Sequence, residues 1–112
     1  MNQTIYLAGI KVPSVANIRQ HWGDRAKYTR NHRALGKLSV KGFPNLPCTV
    51  TLTRIAPRKL DGDNLQAAFK AFRDGVADGL GIKSDADPRV TWVYKQETGD
   101  VAVRVTIVEE NQ

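Results

Sequence analysis

The feature that most constrains the fold is an apolar stripe in the second half of the chain, where large apolar side chains recur every three or four residues. This interval places them on one face of a helix, which must then pack against other elements. Asp61 or Asp63 suits the N-cap of such a helix, and Gly79 or Gly81 suits its end. The spacing predicts a helix over about residues 63–80. Its stripe consists of Leu65, Phe69, Phe72, Val76 and Leu80.

Four stretches rich in β-branched and aromatic residues predict strands, at about residues 3–8, 48–56, 89–96 and 101–108. A polar segment from about residue 15 to 40 favours helix, as one helix or as two with a loop between them. The order is strand, helical region, strand, helix and two strands. This order predicts an α+β domain with a small mixed or antiparallel sheet packed against helices.

Two details of the strands are also predicted from local pattern. Val50, Leu52 and Ile55 alternate with threonines, which is typical of a half-buried strand. The last two strands are separated by Thr98-Gly99-Asp100, a sequence typical of a hairpin turn. The sequence therefore predicts that these two strands are neighbours in the sheet.

The chain has 112 residues and no repeat or linker, so we expect one domain over residues 1–112. Its single cysteine, Cys48, excludes a disulfide framework and a multi-cysteine zinc site, and suits a buried position in a strand. No apolar run approaches the roughly 20 residues of a membrane span, and the first residues lack the layout of a signal peptide. We therefore expect a cytoplasmic protein without a membrane partner.

Charge is divided unevenly along the chain. Residues 1–60 hold eleven Lys or Arg and one acid, whereas residues 61–112 hold six Lys or Arg and ten acids. A basic half beside an acidic half suggests a surface for a polyanion next to a site for a cation, although a mixed solvated surface is the alternative. We expect phosphate contacts from the basic residues, which would make affinity sensitive to salt. The candidate residues are Arg19, Arg25, Lys27, Arg30, Arg33, Lys37, Lys41, Arg54, Arg58 and Lys59.

The acidic half concentrates six aspartates between Asp61 and Asp87, which could be a solvated helix face or a metal site. Asp61 and Asp63 flank a glycine at the start of the predicted helix, where two carboxylates can converge. Converging carboxylates repel unless a cation lies between them, and Mg²⁺ uses few carboxylates together with water and phosphate oxygens. The EF-hand alternative is excluded because the required twelve-residue ligand pattern is absent. On helical geometry Lys70 shares a face with Asp63.

The run Leu60-Asp61-Gly62-Asp63-Asn64-Leu65 resembles the Asp-x-Asp-Asn-Leu motif of RusA-type Holliday junction resolvases. As in that family, it is followed by a helix bearing alanines and aromatic residues, and then by an acidic loop and a strand. The resemblance covers about residues 58–96, a third of the chain, and extends more loosely to the basic segment around residues 17–33. It implies a RusA-like fold and an endonuclease that cuts four-way DNA junctions with Mg²⁺, for which Mn²⁺ can substitute.

By resemblance, Asp61, Asp63 and an aspartate after the helix hold the metal. The spacing to the following strand selects Asp87 as the third ligand, with Asp85 as the competing choice. The family's helix lysine usually stands four residues after the second aspartate, where this chain has Ala67. Lys70, one turn further on, would stabilise charge developing on the phosphate, or would be an ordinary exposed lysine.

The resemblance also implies a homodimer, because two symmetric cuts need two active sites. Trp22, within the basic segment, would stack on an unpaired base or pack in the core. Three alternatives remain for the function. The chain could be a nucleic-acid-binding module without cleavage, a nuclease acting on forks or flaps, or a member of the family that has lost activity.

Overall fold

The computed structural model describes residues 2–14 and 22–110, and the side chains of residues 22–24 are outside this description. The described part contains four strands and three helices around one core, so the expected α+β class is confirmed. No helix in these residues is long and apolar enough to cross a membrane. The elements are β1 (Gln3–Ala8), α1 (Trp22–Leu38), β2 (Cys48–Ala56), α2 (Gly62–Ala68), α3 (Lys70–Leu80), β3 (Val90–Thr98) and β4 (Ala102–Glu109).

The four strands form one mixed sheet in the order β1-β4-β2-β3. β1 and β2 both pair with β4 in antiparallel orientation, whereas β2 and β3 are parallel. A parallel pair requires a crossover connection, which α2 and α3 provide here. The sheet is therefore mixed because one β-α-β unit has been joined to an antiparallel pair.

The predicted hairpin between β3 and β4 is wrong, because β2 lies between these two strands. Residues 98–100 instead cross the end of β2, where the Gly99 N–H donates a hydrogen bond to the Ala56 carbonyl at 3.1 Å. Turn residues such as Thr98-Gly99-Asp100 indicate that the chain reverses direction. They do not indicate whether the strands before and after the turn pair with each other or with a third strand between them. β2 has the most buried sequence of the four strands, so burial favours the central position over the local pairing.

β2 is also more deeply buried than a half-exposed strand. Val50 and Leu52 point to the helices, as their alternation predicts, but Ile55 is an odd number of residues from them and lies on the opposite face. Thr53 is 3% exposed and Arg54 is 9% exposed. The end of a central strand thus buries both faces, which a pattern from one strand alone does not reveal.

The predicted helix over residues 63–80 begins earlier and is interrupted once. Asp61 is the N-cap of α2, and Phe69, with φ −86° and ψ −1°, separates α2 from α3. Hydrogen bonds continue through this turn, because the Arg73 N–H donates to the Phe69 carbonyl at 2.8 Å. The apolar stripe is retained across the interruption. The spacing of apolar residues could not predict the interruption, because the altered backbone angles at Phe69 leave this spacing unchanged. Gly81, with φ 78°, ends α3 in the left-handed conformation that glycine favours, which confirms one of the two predicted stops.

α1 is a single helix over its described length, and it packs closely on α3. A Cβ on Gly36 would lie 2.1 Å from the Phe72 carbonyl oxygen, and a Cβ on Gly75 would lie 1.9 Å from the Arg33 carbonyl oxygen. Glycine at both positions lets the two backbones touch. The helices cover one face of the sheet through a shared core that includes Leu52, Leu65, Phe69, Phe72, Val76, Val103, Val105 and Ile107.

Candidate metal and phosphate site

Asp61 and Asp63 lie at the start of α2, as predicted, and both are exposed. The Asp61 carbonyl accepts the first helical hydrogen bond from Leu65 at 2.9 Å, but its carboxylate makes no capping hydrogen bond. Within residues 2–14 and 22–110, neither carboxylate has a hydrogen-bond or ion-pair partner. Asp74, Asp78, Asp85 and Asp87, in contrast, are each paired with a cationic side chain. No cationic side chain of the described residues therefore competes with a metal ion for these two carboxylates.

Asp63 lines an open depression of about 450 Å³ together with Gln66, Ala67, Lys70 and Arg73. The resemblance places the family's lysine at Ala67, and here the small side chain leaves that position open. The depression therefore has a carboxylate at one end and two cations on its wall. Asp63 and Lys70, predicted to share a helix face, thus line the same depression.

Lys70 is held by two carboxylates of its own. Its Nζ lies 3.0 Å from Asp74 Oδ1, one helical turn away, and 3.0 Å from Asp85 Oδ2 in the following loop. Hydrogen bonds to Asp74 and Asp85 raise the pKa of Lys70 above its ordinary value, so the ammonium stays charged. The Lys70 side chain thus lies beside Asp85 and makes no hydrogen bond or ion pair with Asp61 or Asp63 as far as the chain is described.

Arg73 is a component of this cluster that the sequence interpretation missed. Its Nε lies 2.6 Å from Asp85 Oδ2, the same oxygen that Lys70 contacts, and its Nη1 donates to the Tyr94 hydroxyl. Arg73 Cζ lies 6.0 Å from the centre of the Trp92 ring and 5.9 Å from that of Tyr94. The available signal was the i, i+3, i+4 spacing of Lys70, Arg73 and Asp74, which places their side chains together on one helix face.

The two aspartates of the loop before β3 have different surroundings. Burial by itself would raise the pKa of Asp85, but the hydrogen bond from Lys70 and the charge of Arg73 outweigh it, so the pKa lies below its ordinary value. Asp87 pairs with its neighbour Arg89, whose Nη2 lies 2.8 Å from Asp87 Oδ2, and this hydrogen bonding lowers the pKa of Asp87 to about 2. Asp85 thus contacts Lys70 and Arg73, which line the depression with Asp63, whereas Asp87 borders a separate depression with Arg89.

One row of side chains on β3 holds the parts of this site. The Trp92 indole N–H donates to the Asp85 carbonyl at 2.9 Å, and Tyr94 accepts from Arg73. The Gln96 amide accepts from the Leu60 N–H at 2.8 Å and donates to the Leu60 carbonyl at 2.7 Å, next to Asp61. These three residues alternate along one face of the strand, as expected for Trp92 and Tyr94.

The residues that could hold a metal are fewer than the three that the resemblance implies. In the described part of the chain, no group of three or more His, Cys, Asp or Glu is close enough to hold a metal ion, so Asp61, Asp63 and Asp87 are not gathered at one point. Mg²⁺ is commonly held in proteins by one or two carboxylates and completed by water and substrate phosphate. The exposed and unpaired oxygens of Asp61 and Asp63 fit that mode of binding.

The basic residues divide into exposed and structural ones. Arg54 is buried and donates to the carbonyls of Val12, at 2.7 Å, and Arg58, at 2.6 Å, so its expected contact with phosphate is wrong. Arg33 forms a two-point ion pair with Asp78 of α3, with distances of 2.7 and 3.0 Å. The predictions for Arg19 and for the Trp22 side chain fall outside the described residues. The exposed side chains among the predicted phosphate contacts are Arg25, Lys27, Arg30, Arg33, Lys37, Lys41, Arg58 and Lys59.

Comparison with known proteins adds little to this geometry. No protein-family model matches the chain. An uncharacterized protein from Xylella fastidiosa (strain Temecula1 / ATCC 700964) is 34% identical over 79 residues, which cover 59% of this chain and 50% of that protein. The chain therefore spans about half the length of this relative, whose description names no activity.

Proposed function

We propose that the protein is a Mg²⁺-dependent endonuclease that cuts branched DNA, of the kind found in RusA-type junction resolvases. The observation that carries this proposal is the pair of exposed carboxylates, Asp61 and Asp63, which have no partner among the described residues. Asp63 lines a depression whose wall carries the cations of Lys70 and Arg73. Carboxylates for a metal next to cations for a phosphate are the groups that phosphodiester hydrolysis requires. The motif and its order of elements supply the analogy to junction resolvases.

In this mechanism Asp61 and Asp63 would hold the metal, which would supply a bound water of lowered pKa and a Lewis acid for the phosphate. Lys70 stands on the wall of the depression, where its positive charge opposes the negative charge that develops on the phosphate oxygens. Asp74, whose Oδ1 lies 3.0 Å from the Lys70 ammonium, holds the charged end of this side chain in place. Hydrolysis adds one water across a P–O bond and leaves a phosphate monoester at one end and a hydroxyl at the other.

DNA binding in this proposal uses the exposed basic residues around the site. Arg58 and Lys59 directly precede Asp61, so a strand bound at the metal passes them. Arg25, Lys27 and Arg30 lie exposed on α1, which packs against α3 and is therefore fixed relative to the depression. Contacts of this type follow the phosphate backbone, so the affinity should fall with added salt and depend on shape more than on sequence. A homodimer would supply two such sites for paired cuts.

The test is cleavage of labelled four-way junction, fork and duplex DNA by the wild type, Asp63→Asn and Asp100→Asn, with Mg²⁺, Mn²⁺ or EDTA. Asp100 is an exposed aspartate in the connection from β3 to β4, which makes it a matched control. We expect metal-dependent cutting of branched DNA that falls more than about 100-fold in Asp63→Asn, because loss of a ligand exceeds the 10- to 100-fold effect of outer partners. Absence of metal-dependent cutting by the wild type on every branched substrate would refute the proposal.

A second candidate is a DNA-binding module that does not cleave. The observation favouring it is the pairing of Asp85 with Lys70 and Arg73, which leaves two rather than three free carboxylates at the described site. This candidate predicts tight binding of branched DNA by the wild type and Asp63→Asn alike, with no product in Mg²⁺ or Mn²⁺. Binding measured by fluorescence anisotropy, beside the cleavage assay, separates it from the nuclease.

A further inference from the structure

We propose that Arg73 binds the phosphate whose bond is cut, and that Asp85 positions Arg73 and Lys70 instead of serving as a metal ligand. This inference rests on the proposed nuclease function and deepens it. It assigns to the depression a phosphate-binding arginine that neither the motif nor the resemblance includes.

The Arg73 side chain is held in place from several directions. The Asp85 carboxylate forms an ion pair with the guanidinium at Nε, and the Tyr94 hydroxyl accepts a hydrogen bond from Nη1. The Trp92 and Tyr94 rings lie about 6 Å from the guanidinium carbon. The side chain is only 20% exposed, whereas that of Lys70 is 54% exposed. An arginine that served solubility would remain mobile in solvent. A guanidinium fixed before the ligand arrives loses less conformational entropy when it binds.

Arg73 retains donors for a ligand. A guanidinium has five N–H donors, of which one on Nη1 is used by Tyr94. Nε lies in an ion pair with Asp85, but its buried N–H has no hydrogen-bond partner among the described residues. Nη2 has no hydrogen-bond partner among the described residues. Arg73 also lines the depression that contains Asp63. Guanidinium groups bind phosphate with high geometric specificity, so a phosphodiester is the ligand class that suits this position.

The row on β3 separates Asp85 from the metal-binding end of the site. Gln96 anchors the chain beside Asp61, and Trp92 anchors Asp85, so the anchors are four residues apart. Four residues of a strand span about 13 Å, so the two anchors hold the backbone at Leu60 and the backbone at Asp85 at different points along β3. The Asp85 carboxylate is already paired with two cations. Tyr94, between the two anchors, holds Arg73. Asp85 is thus placed to act through Arg73 and Lys70, both of which contact its Oδ2.

The test compares the wild type with Arg73→Lys, Asp85→Asn and Arg104→Lys. Arg104 pairs with Glu97 on the opposite face of the sheet, which makes it a matched arginine in an ion pair away from the depression. For Arg73→Lys we expect kcat on branched DNA to fall about 100-fold, as for loss of one donor to a developing negative charge. Its KM should change less than about threefold, because most binding comes from other phosphates. Arg104→Lys should match the wild type in both.

Asp85→Asn distinguishes positioning from metal binding. A positioning role predicts a fall in kcat of about tenfold with an unchanged Mg²⁺ concentration for half-maximal activity. A shift of that concentration by tenfold or more would overturn the assignment of Asp85. Wild-type activity in Arg73→Lys would overturn the assignment of Arg73, and thermal unfolding of each variant confirms that it is folded.

A second measurement tests Arg73 even if the wild type cuts no DNA, in which case the nuclease proposal fails separately. The Nε–H signal of Arg73 in ¹⁵N NMR spectra is identified by its loss in Arg73→Lys. We expect saturable movement of this signal when inorganic phosphate is added, with no such movement of the Arg104 signal. An Arg73 signal that ignores phosphate would overturn the proposed binding site.

Discussion

His32 gives the protein a defined sensitivity to acid. Its imidazole is 6% exposed, stacks on Tyr28 with ring centres 4.0 Å apart, and meets the edge of Phe72 at 6.4 Å. Its Nδ1 has no hydrogen-bond partner in the described residues. Burial lowers the pKa of His32 from 6.5 to about 4, against a smaller opposing effect of a hydrogen bond with the Lys11 backbone. The folded protein therefore keeps this ring neutral at pH values where the unfolded chain protonates it.

The sign of the effect follows from proton uptake. Between about pH 6.5 and pH 4 the unfolded chain binds a proton at His32 and the folded protein does not, so the free energy of unfolding decreases as the pH falls. A pKa difference of about 2.5 units corresponds to about 2 kcal/mol lost between pH 7.5 and pH 5, and about 3 kcal/mol by pH 4. Carboxylates with lowered pKa values, such as Asp78 and Asp87, lose their contribution below their ordinary pKa of 3.8, outside this window.

The assay is urea unfolding of the wild type and His32→Phe at several pH values from about 7.5 to 5. Phenylalanine keeps a ring against Tyr28 and removes both the titrating group and the unpaired nitrogen. We expect the wild type to lose about 2 kcal/mol over this range and the variant to lose less than about 0.5 kcal/mol. Equal losses in the two proteins, or a native His32 that titrates near pH 6.5 by NMR, would refute the reasoning.

Two further predictions concern packing. Gly75→Ala should destabilise the protein by about 3 kcal/mol or more, because its Cβ would lie 1.9 Å from the Arg33 carbonyl oxygen. In the matched variant Gly62→Ala a Cβ meets nothing within 4 Å, so its unfolding temperature should stay within a few degrees of that of the wild type. Equal unfolding temperatures for Gly75→Ala and Gly62→Ala would contradict the close helix contact at Gly75. Cys48 is 0% exposed and burial raises its thiol pKa, so a thiol reagent should modify it only at the rate of unfolding. Rapid labelling under native conditions would contradict this burial.

The parts of the fold that the sequence predicted are those governed by local pattern. The stripe from Leu65 to Leu80 predicted a helix because the side chains on the buried side of a helix recur every three or four residues in the sequence. The strand neighbours were predicted wrongly because pairing depends on competition among all strands for the central position. Thr98-Gly99-Asp100 satisfies a hairpin locally, yet β2 takes that position. The sequence also gave no sign that Arg54 would be buried, since its carbonyl partners come from Val12 and Arg58.

The candidate site was predicted to the extent that it depends on consecutive residues. Asp61 and Asp63 lie at a helix start in any arrangement that keeps α2, so their exposure follows from the motif alone. The choice between Asp85 and Asp87 depends instead on where the loop before β3 meets α3, which spacing to the next valine does not encode. Arg73 was missed for the same reason. Its neighbours Asp85 and Tyr94 lie 12 and 21 residues further along the chain.

The parallel pairing of β2 and β3 accounts for the arrangement of the site. Because the crossover leaves the end of β2 and returns to the start of β3, the chain passes along β3 in the reverse direction above its inner face. Gln96, Tyr94 and Trp92 meet this segment in that order, at Leu60, Arg73 and Asp85. Side chains on one face of a strand repeat every two residues, about 6.5 Å apart. The anchors of the segment before Asp61, of Arg73 and of Asp85 therefore follow one another along β3 at this interval. If β3 paired with β4 in a hairpin instead of with β2, the β2–β3 crossover would not place α2 and α3 along β3. Leu60, Arg73 and Asp85 would then not be aligned on this strand.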